Sequence, residues 1–148
     1  MNALFRTQDS TPLLIVRLAL GIVMLPHGLQ KTLGMFGGPG FAGMMEMFTQ
    51  QGMPAFLAFL VILSESAGSL GLIVGFLSRI AGFGCAAVML GAIGMVHLQN
   101  GFYMNWLGKQ AGGEGFEYHI LALGMALAVM IGGGGRASID QAIAGPSR

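Results

Sequence analysis

The chain has 148 residues, of which 54% are apolar and 9% are charged, and its formal net charge is +1. A typical soluble domain carries about 25% charged residues, so this composition excludes an ordinary soluble globular protein. The small net charge provides no basic excess of the kind that accompanies nucleic-acid binding. The surplus apolar surface indicates a lipid environment.

Four apolar stretches approach the length of about 20 residues that a helix needs to cross a bilayer. They run from about Pro12 to Leu33, Pro54 to Phe76, Ile80 to Leu98 and Phe116 to Ile131, and the last is short. The first resembles the apolar part of a signal peptide. Its apolar run continues past Pro26 without a convincing cleavage site, so it is predicted to stay in place as a membrane helix.

The connections between these stretches alternate in length, which predicts an antiparallel bundle of four transmembrane helices with both termini on one side. The second connection is very short, at 77–79, and the other two, at about 34–53 and 99–115, are long. Phe41–Gln50, in the first long connection, is apolar with one acid, and it predicts a short helix in the membrane interface.

Basic residues predict the orientation of the bundle. The side of the termini carries Arg6, Arg79, Arg136 and Arg148, and the opposite side carries Lys31 and Lys109. The positive-inside rule then predicts a multi-pass protein of the bacterial inner membrane with both termini in the cytoplasm.

The chain has 26 glycines, and glycines recur inside the apolar stretches. Gly71 and Gly75 have GxxxG spacing, which favours close packing of the four helices, with a homodimer as the sharper alternative. Cys85 is the only cysteine and stands between Gly84 and Ala86. It is interpreted as a small packing residue, so thiol chemistry would need a partner protein.

Two ionisable residues fall well inside the predicted spans, where an isolated charge costs about 2.5–3.5 kcal/mol on insertion scales. Arg17 lies in the first helix and Glu65 near the middle of the second. An Arg17–Glu65 ion pair is the leading interpretation. Two roles are open for it: a lock between two helices, or a catalytic pair in which Glu65 handles a proton or ligand and Arg17 tunes its charge.

A second polar set is predicted at the outer ends of three helices. Its members are His27, Lys31, His97, Glu117 and His119. Each has an ordinary alternative role, such as an interfacial cap or a lysine that reaches the headgroups. Together they could bind a quinone headgroup, since histidine and lysine donate hydrogen bonds to carbonyl oxygens. The histidines lack metal-ligand spacing, so no metal site is predicted, although haem or metal stays an alternative. No glycine-rich NAD or ATP motif occurs.

Several segments together resemble the DoxX family of small four-helix bacterial membrane proteins. They are RLALGIVMLPHGLQKTLG from Arg17, GGPGFAGMMEMFTQQGMP from Gly37, ESAGSLGLIVGF from Glu65, HLQNGFYMNW from His97, GEGFEYH from Gly113 and GGGGRASID before Gln141. The resemblance implies one membrane domain over residues 1–148 and similarity to a subunit of thiosulfate:quinone oxidoreductase. It implies Arg17, His27, Lys31, Glu65, His97 and Glu117 as candidate site residues.

Three hypotheses for function follow from the polar set and the resemblance. The first is a quinone-linked oxidoreductase subunit, in which the outer cluster holds the quinone. The second is a non-catalytic membrane anchor or scaffold for a soluble or membrane redox partner. The third is a small proton-coupled transporter with Glu65 and Arg17 along its path. Whether the chain is itself an enzyme is left open by the sequence.

Overall fold

The computed structural model describes residues 3–108 and 112–145, and no β-strand occurs in these ranges. The α-helices are α1 (Thr11–Leu33), α2 (Gly40–Gln50), α3 (Ala55–Val74), α4 (Ser78–Ala92), α5 (Glu117–Gly132) and α6 (Ile139–Ala144). Helix α4 continues through a π-helical turn, Ile93–His97, and a 3-10 turn, Leu98–Asn100. Further 3-10 turns are Ala3–Phe5 and Met35–Gly37. The prediction of an all-helical membrane protein is confirmed.

The helix boundaries follow from local sequence signals. Ser10 caps α1, because its side chain accepts a hydrogen bond from the backbone N–H of Leu13. Gly34 ends α1 and Gly75 ends α3, each in the left-handed conformation that glycine adopts without strain. Pro26 lies inside α1, and the helix runs past it to Leu33, as the continuous apolar stretch predicts.

Four helices form a closed bundle in which α1 packs on α3 and α5, and α4 packs on the same two neighbours. By length and apolar composition, α1, α3 and the helix from Ser78 to Asn100 can each cross a membrane. Helix α5 is apolar but has only 16 residues. At 1.5 Å per residue it spans about 24 Å, so it needs tilt or flanking residues to cross a bilayer core of about 30 Å.

Close contact between α1 and α3 depends on glycine. A Cβ atom added at Gly28 would lie 2.2 Å from the backbone oxygen of Glu65, so only glycine fits at this crossing. The buried core is otherwise made of aliphatic, methionine and alanine side chains, among them Leu20, Met24, Leu72, Met89, Ala122, Ala126 and Val129. Large apolar side chains such as Phe56 and Leu121 point outward, as expected of a surface in lipid.

The two ends of the bundle differ in construction. At the terminal end, the start of α1, the α3–α4 turn, the end of α5 and α6 meet, and the Gln8 backbone N–H donates to the Gly132 oxygen at 3.0 Å. At the loop end lie α2 and the segment between α4 and α5. The predicted interfacial helix is present as α2, one residue longer than expected at its start. Of the residues used to predict orientation, Lys109 and Arg148 lie outside the described residues.

Candidate functional site

Arg17 is buried at the terminal end, and the predicted Arg17–Glu65 ion pair is wrong. The guanidinium, 1% exposed, donates to the backbone oxygens of Gly134 at 2.7 Å and Ile73 at 2.6 Å, and also to those of Leu72 and Ala137. Two of these oxygens belong to the last turn of α3, where a cation also interacts favourably with the helix dipole. Arg17 therefore joins α1 to the end of α3 and to the segment that precedes α6.

Asp140 completes this junction, and the sequence interpretation missed it. The carboxylate, 1% exposed, accepts hydrogen bonds at 2.8 Å from the backbone N–H groups of Leu77 and Ser78. It thereby caps α4 from α6, a distant part of the chain. Its charge also lies within electrostatic range of Arg17. The sequence did contain a signal for the helix that carries Asp140. Ser138 and Gln141 have the three-residue spacing of a helix N-cap, which predicts a short helix in the C-terminal segment.

A surface ion pair lies outside this buried junction. The Arg136 Nε and the Asp9 Oδ1 are 2.9 Å apart, and both side chains are exposed. The hydrogen bond from Arg136 lowers the pKa of the Asp9 carboxyl and raises the pKa of the guanidinium. Solvent screens such a pair, so it contributes little to stability compared with Arg17 and Asp140.

Glu65 instead forms an ion pair with Lys31, toward the loop end. The Lys31 ammonium lies against the Oε2 atom of Glu65, and the two side chains are 16% and 8% exposed. Glu65 lies opposite Gly28 in the α1–α3 contact, 11 residues along α1 from Arg17, which is roughly 16 Å of helix. That distance explains why Arg17 cannot reach Glu65. A charged pair is expensive to bury, which favours a functional role for it.

Two histidines of the predicted outer set lie against each other at the loop end. The ring centroids of His97 and His119 are 4.1 Å apart, and His27 lies within electrostatic range of His119. His119 is 7% exposed, and its Nδ1 atom has no hydrogen-bond partner among the described residues. A buried polar atom without a partner is rare in proteins, so the His119 Nδ1 atom is a candidate contact for a ligand. Within residues 3–108 and 112–145, no group of acidic, histidine and cysteine side chains is arranged to hold a metal ion.

Tyr118 connects the interior polar groups with the surface of the bundle. Its hydroxyl lies 3.7 Å from the Met24 sulfur in the core, and it is within electrostatic range of Glu65. Its ring contacts His119, with centroids 5.5 Å apart. Cys85, also within electrostatic range of Glu65, is buried as the packing interpretation expects. Tyr118 was not among the residues predicted from the sequence, although its position directly before His119 was a signal of a polar site.

Glu117, another predicted member of the outer set, is bound to the segment that precedes α5. Its Oε1 atom accepts hydrogen bonds at 2.9 Å from the backbone N–H of Met104 and the indole N–H of Trp106. It therefore holds the segment before α5 against the start of that helix. His119, two residues along, is buried in the bundle, so the two side chains serve different faces, as their spacing predicts.

An open, mainly apolar cleft of about 330 Å³ adjoins this arrangement. It is lined by Phe102, Trp106, Glu117, Tyr118, Ile120 and Leu121. Such a cleft is large enough for one small aromatic ligand. Tyr118 belongs both to its wall and to the interior cluster, so we define the loop-end site as the cleft together with Lys31, Glu65, His97 and His119.

Comparison with known proteins places the chain in a family. The DoxX family model matches residues 12–98, which include α2, α3, all but the first residue of α1 and most of the helix that ends at Asn100. The chain is also similar to a protein of Bacillus subtilis (strain 168) named "Putative oxidoreductase CatD", at 30% identity over 116 residues. That alignment covers 78% of this chain and 76% of the relative. No solved structure matches. The chain belongs to the DoxX family of membrane proteins.

Proposed function

We propose that the chain is the membrane subunit of a quinone-linked oxidoreductase, and that the loop-end site holds the quinone or quinol headgroup. The observation that carries the proposal is the buried Lys31–Glu65 pair, which is linked to an open aromatic cleft through Tyr118, a residue of the cleft wall within electrostatic range of Glu65. The word oxidoreductase in the name of the Bacillus subtilis relative supports the same class of activity.

The residues present fit a quinone-type ligand on physical grounds. Phe102, Trp106 and Tyr118 offer ring faces for a flat headgroup, and Leu121 borders the cleft with an exposed aliphatic surface. The ligand class supplies two-electron, two-proton redox chemistry when bound. The residues of the chain bind and orient the headgroup, and the Lys31–Glu65 pair offers a neighbouring group that can hold a proton.

The electrons must come from elsewhere, which makes a partner part of the proposal. The single cysteine cannot cycle an internal disulfide, so we propose that a soluble or membrane redox protein docks on the chain. The exposed aromatic segment around Tyr103 and Trp106 would lie at the membrane surface beside such a partner.

The only tryptophan of the chain provides a direct test. Trp106 is 81% exposed and lines the cleft, so a quinone bound there quenches its fluorescence. Titrating a short-chain benzoquinone into protein in lipid nanodiscs should give saturable quenching. Quenching that rises linearly without saturation, as for a quinone merely dissolved in lipid, would remove the proposal and leave the anchor or scaffold role.

A matched pair of variants localises the binding. Leu121→Phe adds volume inside the cleft and should weaken saturable quenching about tenfold, through overpacking of the ligand space. Leu127→Phe makes the same change at an exposed position of α5 away from the cleft, and it should leave quenching unchanged. Equal behaviour of the two variants would show that the quinone binds elsewhere.

The orientation of the chain is proposed on charge. Arg6, Arg79 and Arg136 lie at the terminal end, which we propose faces the cytoplasm of a bacterial inner membrane. The loop-end site then faces the outer side. A periplasm-dependent reporter fused after the last residue should be inactive, and strong activity would reverse the orientation.

A further inference from the structure

His97 is held at the loop-end site by the segment that precedes α5. The Glu114 backbone oxygen lies 2.8 Å from the Nδ1 atom of His97 and 3.0 Å from the side-chain nitrogen of Asn100. The Glu114 carboxylate is itself held, since it accepts a hydrogen bond at 2.6 Å from the backbone N–H of Asn105. The carbonyl that contacts His97 is thus fixed from two sides.

This contact determines which nitrogen of His97 carries the proton. A carbonyl oxygen has lone pairs and no hydrogen, so the Nδ1 atom must donate to it. A neutral imidazole has one N–H group, and its other nitrogen is then an acceptor. Neutral His97 therefore presents the Nε2 atom with a lone pair and no proton.

The His119 ring lies against the His97 ring, with the two centroids 4.1 Å apart. The π-helical turn Ile93–His97 brings His97 to this position, and such turns are frequent at functional sites.

We infer that His97 is the hydrogen-bond acceptor of the loop-end site through its Nε2 atom. Asn100 is a positioning residue, because it holds the Glu114 oxygen that keeps the proton of His97 on Nδ1. The ligand class that matches is one with a hydroxyl group, which can donate to this nitrogen. The inference rests on the proposed quinone-type ligand and specifies that the reduced, hydroxyl-bearing quinol is bound in preference to the quinone. A quinone carbonyl would meet another acceptor at the Nε2 atom, an unfavourable contact.

Nitrogen NMR of ¹⁵N-histidine-labelled protein in nanodiscs tests the tautomer with no quinone present. His97, identified by the signal lost in His97→Ala, should be protonated at Nδ1. Asn100→Ala should lower the ratio of the Nδ1-protonated to the Nε2-protonated tautomer of His97 about fivefold, which is the effect of weakening one hydrogen bond. Gln99→Ala, an exposed neighbour in the same turn, should leave it unchanged. Protonation of wild-type His97 at Nε2 would overturn the inference, even if quinone binds.

Ligand preference provides the second arm. A short-chain benzoquinol should bind about tenfold more tightly than the matching benzoquinone. The affinity of the quinol is measured by its displacement of the benzoquinone that quenches the fluorescence of Trp106. His97→Ala should abolish the preference, and His97→Gln should partly restore it, since the amide oxygen can accept the same hydrogen bond. Equal binding of both forms to the wild type would overturn the inference, whereas no saturable binding of either form would defeat the proposed function itself.

Discussion

The Lys31–Glu65 pair allows a quantitative test of how this membrane protein stabilises buried charge. Removing one member leaves the other charge buried, which typically costs about 3–5 kcal/mol. The two single substitutions should differ, however. The Glu65 side chain lies at the middle of α3 and is 8% exposed, so after Lys31→Met its carboxylate has no route to water. We expect this variant to lose the full amount.

Glu65→Gln should cost about half as much. Lys31 lies in the last turn of α1, and its long side chain can turn toward the headgroups once its partner is gone. The double variant, which contains no buried charge, should be more stable than Lys31→Met alone. The coupling energy between the two positions should therefore be about 2 kcal/mol or more.

Equilibrium unfolding in lipid bicelles, for the wild type and the three variants, measures this cycle. The exposed Asp9–Arg136 pair gives a control cycle, in which little coupling is expected. Additive losses at Lys31 and Glu65, or equal losses in the two single variants, would refute the reasoning.

Three further predictions concern the terminal end and the helix contacts. Asp140→Asn removes one of the two acceptors that cap α4 and should cost about 1.5–3 kcal/mol in the same unfolding assay, and no change would show that the cap is dispensable. Gly28→Ala should cost about 3 kcal/mol or more, because the new methyl group meets the backbone of α3, whereas Gly91→Ala enters open space and should be neutral. The hydrogen bond from Arg136 lowers the pKa of Asp9 from 3.8, so its small contribution is present above that pH and is lost as the pH falls. Asp9→Asn should remove this acid dependence from thermal unfolding curves, and an unchanged dependence would contradict the assignment.

Much of the fold was predictable because lipid imposes strong rules on sequence. The four apolar stretches, the short α3–α4 turn and helix α2 follow from length, glycine punctuation and amphipathic pattern. The boundaries were within a few residues of those observed. The change from α-helix to π-helix at Ile93 was not predictable, since no rule of composition distinguishes such a turn.

The pairing of charges was not predictable for a geometric reason. Arg17 and Glu65 each lie inside a span, but the depth at which two antiparallel helices cross depends on side-chain packing. Here the crossing is set by Gly28 against the backbone of Glu65, a contact that sequence spacing does not reveal. Lys31 was predicted as a member of the outer set, but Glu65 was paired with Arg17 instead of with Lys31. Asp140 was missed because it lies beyond the last apolar stretch, where a membrane interpretation expects only a tail.

The charged groups of the terminal end are satisfied within the chain, although the buried Ser78 hydroxyl there, like the His119 ring at the loop end, has no hydrogen-bond partner among the described residues. At the terminal end, Arg17 donates to four backbone oxygens, and both oxygens of Asp140 accept backbone N–H groups. At the loop end, the buried Nδ1 atom of His119 lacks a partner within the described residues, and the Nδ1 contact of the adjacent His97 ring leaves its Nε2 atom as the acceptor. Interactions completed within the chain hold a structure together, whereas polar atoms left open are available to a ligand. This difference argues that Arg17 and Asp140 maintain the bundle, and that the loop-end site is where the chemistry of the protein should be sought.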